Sequence, residues 1–335
     1  MKTYELTGKG LEHLTLVSRE KPIPKKGEVL IRIRAASLNY RDLMIAKGVY
    51  RREVCYPLIP LSDGSGEVEA VGEGVSDCKA GDRVMGSFFP FFYDGLVGPE
   101  TDRRALGGDL DGVLSEYIVL SSESVVKIPA GWSFEEASTL PCAALTAWNA
   151  LYGALPLLPG QTVLVLGTGG VSMYATLFAR MGGARVIATS RSSGKLLKMK
   201  NFGAEEIIDT SRSPDWEASV HEITSGRGVD HVVDVLGGES FNRSLRAVRA
   251  GGQVSVIGVL SGTSGLVDTA LILGKAIGVR GIYVGNRRQL EEMARALGNG
   301  SHRPAIDAVF PFSEVRNAFT ALDKGDHFGK IVVRL

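Results

Sequence analysis

Thr162-Val-Leu-Val-Leu-Gly-Thr-Gly-Gly-Val-Ser172 is an apolar run that ends in a glycine turn. Residues 162–166 have no polar face, so they read as a strand covered on both sides. The turn is G-x-G-x-x-S, with Ser172 in the third glycine position. The first glycine permits a tight turn, and the second lets backbone approach a pyrophosphate. The third position sets how closely the next helix packs, and serine is small enough. A helix over 171–181 would turn its free N–H groups and positive dipole end toward that anion. Gly167, Thr168, Gly169, Gly170 and Val171 are therefore the candidate phosphate-binding residues. Glycine turns also occur without ligands. The context favours a nucleotide here: strand before, helix after, and a second strand about 20 residues on.

Downstream the order repeats. Residues 184–189, 206–209, 231–235 and 253–257 read as strands, and 195–202 as a helix. Apolar strands alternating with helices predict a parallel sheet with helices on both faces. The end of the second strand selects the nucleotide. An Asp or Glu there would bind a ribose 2′-hydroxyl. Residues 185–200 contain no acid, whereas Ser190, Arg191 and Lys195 can donate to a 2′-phosphate. The expected cofactor is NADP(H) rather than NAD(H); the alternative is a solvated basic loop.

Upstream the texture differs. Residues 28–34 and 66–72 alternate apolar and polar, and turn clusters recur at 22–27, 72–74, 81–82 and 107–108. These features predict short strands in a compact, barrel-like domain. The stretch 88–112, aromatic at its start, reads as a lid or an insertion. The texture changes near Pro129, after which an Ala-rich helix is expected over 134–155. The tail shows helices around 291–297 and 314–322 and a last strand over 330–334. Three segments result: 1–129, 130–286 and 287–335.

Composition narrows the class. The 335 residues carry a formal net charge of +1, which argues against nucleic-acid or anionic-membrane partners. With 44% hydrophobic and 22% charged residues, the chain is not disordered. Cys55, Cys78 and Cys142 form no C-x-x-C pair, which points to a reducing compartment. No signal-like or membrane-spanning run is visible, so the expected location is the cytoplasm. None of the five histidines has metal-ligand spacing, and no Gly-x-Ser-x-Gly elbow suggests hydrolysis.

Several motifs extend the reading. They are Ala35-Ala-Ser-Leu-Asn-Tyr-Arg-Asp42, Gly48-Val-Tyr50, Asp63-Gly-Ser-Gly-Glu-Val-Glu-Ala-Val-Gly-Glu-Gly74, Gly81-Asp-Arg-Val84, Leu145-Thr-Ala147 and Phe328-Gly-Lys-Ile-Val332. With the glycine turn, their order resembles the medium-chain dehydrogenase/reductase superfamily, within it the zinc-free, quinone oxidoreductase-like branch, over essentially the whole chain. The resemblance implies an α/β protein: a Rossmann doubly wound parallel sheet plus a GroES-like β-barrel catalytic domain to which the chain's end returns. The zinc ligand positions of the alcohol dehydrogenases hold Asn39, Ser62-Asp63 and Cys142, and 88–112 lacks the cysteines of a structural zinc lobe, so no metal is expected.

By the same resemblance Asn39 and Tyr50 line the substrate pocket, Tyr50 as carbonyl partner or proton donor or else as pocket wall. Thr146 lies near the nicotinamide, Gly258, Val259 and Leu260 offer backbone to the cofactor, Tyr283, Val284 and Gly285 meet its carboxamide, and Lys330 lies in a cofactor-contacting segment. The implied activity is NADPH-dependent reduction of quinones, enones or related carbonyl compounds. The alternatives are an NADP-dependent alcohol dehydrogenase or ketone reductase, and a low-turnover NADPH-binding sensor or scaffold. The partner set is a small-molecule substrate and a second copy of the chain, paired through sheet edges at 276–284.

Overall fold

The computed structural model describes residues 1–50, 53–298, 300 and 302–335. The chain forms two compact units, Met1–Leu145 with Val284–Leu335, and Thr146–Tyr283.

The second unit is a six-stranded sheet. Its order is Glu206–Asp209, Arg185–Ser190, Thr162–Leu166, Val229–Asp234, Val248–Val256, Gly278–Gly281, and every neighbouring pair is parallel. This is the doubly wound order 3-2-1-4-5-6 of nucleotide-binding folds. The order reverses beside Thr162–Leu166, so the glycine turn stands at the topological switch point. Every residue of Thr162–Leu166 and of Val229–Asp234 is buried, as apolar strands covered on both faces must be. Leu164, Ile187, Val232 and Val254 form the core with Trp216 and Phe241. On the helix Gly170–Met181, Phe178 meets the Trp148 ring edge-on at 5.3 Å and its carbonyl accepts from the Tyr152 hydroxyl at 2.8 Å.

The first unit holds a seven-stranded sheet. Its order is Ile306–Pro311, Lys330–Arg334, Glu28–Ser37, Asp63–Val71, Arg83–Gly86, Val125–Lys127, with Tyr117–Ser121 also paired to Glu28–Ser37. The last strand therefore lies against a central one, with Val332 opposite Ser37. The alternation expected over 28–34 is broken, because Val29, Leu30 and Ile31 are all buried. This strand is paired along both edges, with Asp63–Val71 and with Tyr117–Ser121, and its register with the former shifts twice, the extra residue being Glu69 and then Arg34.

The single helix expected over 134–155 is interrupted. It splits into Phe134–Ala137, a π-helical turn Leu140–Ala144, and Leu145–Tyr152. Pro141 has no N–H to offer the regular ladder. The first two pieces pack with the first unit, where Ser65 Oγ donates to Phe134 O (2.6 Å) and Ser37 Oγ to Ser138 O (2.9 Å). The change near Pro129 thus marks the end of the strands, while the packing boundary falls at 145/146.

The stretch 88–112 has its own anchor. Phe88 and Phe89 are buried edge to face at 4.7 Å. Arg287 N and Arg288 N donate to Phe92 O and Tyr93 O, both at 2.9 Å, and Arg288 pairs with Asp94 at 2.9 Å. These ties describe a fixed insertion rather than a loose flap. Among the described residues, no helix is long and apolar enough to cross a membrane.

Candidate active site

At the glycine turn Gly167 has φ +81°, a left-handed conformation. A Cβ there would meet nothing closer than Val235 Cγ2 at 3.9 Å, so conformation rather than crowding selects glycine. Gly169 opens the helix Gly170–Met181 without a side-chain cap, and the space over its Cβ position is empty to 4 Å. The first N–H groups of the helix thus have no side-chain acceptor and an open approach, which fits a pyrophosphate. Ser172 is more than a small stand-in for glycine. Its buried hydroxyl donates to Leu166 O at 2.7 Å and ties the helix to the end of the strand. Thr168 and Val171 complete the turn, Thr168 buried and Val171 half-buried.

The bend that follows the second strand is tied by short-range bonds. Ser192 N donates to Ser190 Oγ at 3.2 Å, and Ser192 caps the helix Ser193–Phe202 by accepting from Lys195 N at 3.4 Å. Arg191 is exposed and Lys195 half-buried. The sheet adds an acid that the local sequence does not show. Asp209, on the neighbouring strand, stands opposite Ser190. Its Oδ1 accepts from Ser211 N (3.0 Å) and Oγ (2.6 Å), and Arg212 Nε lies 3.8 Å from Oδ2. The Ser211 hydroxyl holds this carboxyl below its usual range. Asp209 is thereby bound into its own turn, with Arg212 as counter-charge.

Gly258 is forced by close approach, since a Cβ would lie 2.1 Å from Val235 O. Val259 and Leu260 follow as partly exposed apolar residues. Tyr283 is half-buried and Gly285 buried. Val284 between them has φ +58°, a conformation that β-branched residues rarely adopt and that carries backbone strain. Thr146 is buried in the helix Leu145–Tyr152.

The first unit contains a buried polar cluster. Asn39 precedes the helix Tyr40–Ala46, and its N–H donates to Asp42 Oδ2 at 2.8 Å. Asp42 Oδ1 makes no hydrogen bond, with Arg41 Nη1 at 3.7 Å. Asp63 accepts from Ser62 Oγ (2.7 Å) and from Cys142 N (3.1 Å). The π-helical turn brings that N–H of Cys142 to Asp63. Leu38 N bonds Ile331 O at 3.0 Å, and this pairing carries Lys330 to the same spot. Lys330 is 3% exposed. Its Nζ donates to Leu38 O and to Asn39 Oδ1, both at 2.6 Å. Lys330, expected in a cofactor-contacting segment, thus has its ammonium inside the first unit.

Burial dominates the electrostatics. It pushes Asp42 up to about 7 against the pull of Arg41, and raises Asp63 against the pull of Lys330. Burial also lowers Lys330, opposed chiefly by Asp63, and pushes the Cys142 thiol well up. An ammonium among two carboxylates keeps the buried charge partly compensated.

Tyr50 is half-buried against the core of this unit. The Arg41 guanidinium lies 5.4 Å from the Tyr50 ring and 4.9 Å from that of Phe88, and its Nη1 donates to Leu106 O at 3.0 Å. Arg41, Asp42 and the partnership of Lys330 with Asn39 were not legible as site features. The one signal was the placement of charged residues against apolar strand ends, as in Phe328-Gly-Lys-Ile-Val332.

These residues do not fit a zinc ion. Zinc takes nitrogen, thiolate or carboxylate electron pairs in a tetrahedron. Here the Asn39 oxygen already accepts from an ammonium and the Ser62 hydroxyl donates to Asp63, and an amide and a hydroxyl are in any case weak zinc donors. Among the described residues, no group of three or more His, Cys, Asp or Glu is placed to hold a metal.

The alcohol dehydrogenase GroES-like domain family matches residues 25–130, and the zinc-binding dehydrogenase family matches residues 170–299. A zinc-type alcohol dehydrogenase-like protein of Schizosaccharomyces pombe is 38% identical, covering 96% of this chain and 95% of the relative. The acryloyl-coenzyme A reductase of Metallosphaera sedula is 30% identical, covering 93% of each. A crystal structure from Sinorhizobium meliloti, described as a candidate alcohol dehydrogenase, superposes with TM-score 0.94 at 39% identity, over 100% of this chain and 98% of that one. The solved neighbours include an NAD-dependent alcohol dehydrogenase (TM-score 0.90, 31% identity, all of both chains). They also include a mycobacterial protein complexed with NADPH (TM-score 0.83, 26% identity, all of both chains).

Proposed function

The chain belongs to the medium-chain dehydrogenase/reductase superfamily, and from that premise we propose a zinc-independent, NADPH-dependent reductase of quinones, enones or related carbonyl compounds. The observation that carries the reading is the Asn39–Lys330 pair, an amide and an ammonium in the place where the alcohol dehydrogenases hold a metal ligand.

NADPH, when bound, supplies the hydride. In the second unit the uncapped turn Gly167–Val171 takes the pyrophosphate. Ser190, Arg191 and Lys195 take the 2′-phosphate, with Arg212 neutralising Asp209. Thr146, Gly258 to Leu260 and Tyr283 to Gly285 bound the nicotinamide. In the first unit Asn39 hydrogen-bonds the substrate carbonyl oxygen, and Tyr50 supplies a proton. The protein's contribution to the rate is electrostatic stabilisation of the oxygen that gains charge.

A homodimer accompanies this reading. Gly278–Gly281 is the last strand of its sheet, and the apolar residues Val279, Leu273 and Leu266 are exposed nearby (42%, 84% and 91%). An open strand edge beside such residues favours pairing with a second copy.

The test is a cofactor-consumption screen. Both nicotinamides are offered with quinones, enones, aldehydes and alcohols, alongside metal analysis of the purified protein. The reading expects NADPH consumption with quinones or enones and well under one zinc per chain. Stoichiometric zinc retained after chelation, or turnover only with NADH, overturns it. The second reading, reduction at C=O with reversible alcohol oxidation, is favoured by the names of several relatives. Product analysis separates the two, because saturation of C=C and reduction of C=O give different molecules.

A further inference from the structure

We propose that Lys330 is a positioning residue: its ammonium pins the Asn39 carboxamide oxygen, so that the amide offers its Nδ2 hydrogens to an incoming oxygen. The ligands selected are those with an oxygen that accepts a hydrogen bond and gains negative charge, such as ketones, quinones and enones. The inference rests on the proposed role of Asn39 at substrate and adds what sets its orientation.

Three observations support it. Lys330 Nζ is 2.6 Å from Asn39 Oδ1, and both residues are more than nine-tenths buried. Nδ2 of the same amide is buried and makes no hydrogen bond of ordinary length and angle. Buried polar groups are almost always paired, so an unpaired donor marks a place where something else binds. Asp63 accepts from the Ser62 hydroxyl and the Cys142 N–H, and a hydrogen-bond interaction with the Asn39 amide also lowers its carboxyl, which takes at most one of the two Nδ2 hydrogens. An NH2 group has two hydrogens, so one leaning toward Asp63 leaves the other.

The two ends of a carboxamide have nearly the same shape but opposite hydrogen-bonding character. A free Asn39 could turn its oxygen outward and repel a substrate carbonyl. A cation bonded to Oδ1 removes that orientation. It also draws electron density toward the oxygen and so makes the N–H groups better donors. Leu38 O holds the ammonium from a second side, which keeps Lys330 from following the amide if it turns.

The experiment is a double-mutant cycle on the full chain with Lys330→Met and Asn39→Ala, read as kcat/KM for an enone or quinone and as NADPH dissociation constant. Removing one such donor costs about 10²–10³ in rate. Acting through Asn39, Lys330→Met lowers kcat/KM by roughly ten-fold or more alone and by less than about two-fold in the Asn39→Ala protein, with NADPH affinity unchanged. Independent, multiplying losses overturn the proposal. If Lys330→Met does not fold, the cycle is run on Asp63→Asn protein, where one buried carboxylate leaves with the ammonium.

A second measurement needs no turnover. In 15N-labelled protein without NADPH, adding cyclohexanone should move one Asn39 Nδ2 proton downfield, an effect absent in Lys330→Met protein. No shift in the wild type overturns the proposal. A shift in a protein that consumes no NADPH with any substrate instead defeats the oxidoreductase reading and leaves the donor assignment standing.

Discussion

Asp42 makes the stability of the first unit depend on pH. It is fully buried, its Oδ1 has no hydrogen bond, and burial raises it from 3.8 to about 7. The folded chain therefore binds the proton more tightly than the unfolded chain does. Between those two values the native state holds more protons, so stability falls as pH rises through this window and levels off above it. At 1.36 kcal/mol per pH unit the ceiling is about 4 kcal/mol, reduced where Asp63 and Lys330 titrate with Asp42. Asp42→Asn removes the titration while its Oδ1 can still accept from the Asn39 N–H. The variant should equal or trail the wild type near pH 5 and exceed it by a few kcal/mol at pH 8. The assay is urea unfolding at pH 5, 6, 7 and 8 in a Trp148→Phe, Trp216→Phe background, followed by the fluorescence of Trp132, a buried residue of the same unit. A proton-specific effect moves the midpoint and leaves the slope m unchanged. Parallel pH profiles for the two proteins would refute the assignment of the buried proton to Asp42.

Arg191→Ala should weaken NADPH binding roughly ten-fold or more and NADH binding little, since a charge-assisted bond to phosphate contributes about 1.5–3 kcal/mol; calorimetry with both dinucleotides decides, and equal effects defeat the phosphate assignment. Tyr50→Phe should lower kcat by about 10²-fold or more with NADPH affinity intact; unchanged rates leave the residue as pocket wall. Gly167→Ala, at φ +81°, should cost about 1–2 kcal/mol in urea unfolding and also weaken the dinucleotide, whereas full affinity would place the pyrophosphate elsewhere. Val279→Lys on the exposed sheet edge should yield monomers in sedimentation velocity under conditions where the wild type is dimeric; an unchanged dimer moves the interface to another surface.

The nucleotide half was legible because its signals are local. Strand, glycine turn and helix follow one another within residues 162–181, and steric freedom at Gly167 is a property of one residue. The serine, arginine and lysine of 190–195 are likewise close together in the chain, and their proposed role awaits the Arg191→Ala test. Even here the sheet added Asp209 beside Ser190, because strand pairing joins residues that the chain separates. Periodicity misread 28–34, whose pairing shifts register at Glu69 on the neighbouring strand and at Arg34 on its own, and 134–155, where Pro141 interrupts the ladder.

The sequence by itself determined a strand–turn–helix nucleotide module, an acid-free bend after its second strand, and an amide and a hydroxyl, Asn39 and Ser62, at two positions of the first unit. Only the tertiary structure decided what those two side chains meet. Lys330 and Asn39 are 291 residues apart and meet because the last strand pairs with the central strand of the first unit. Burial then shifts the ordinary Asp42, Asp63 and Lys330 side chains together and keeps the Cys142 thiol neutral. Apolar periodicity reports which face of an element is covered, whereas the partner of a buried charge is set by register and packing between distant elements.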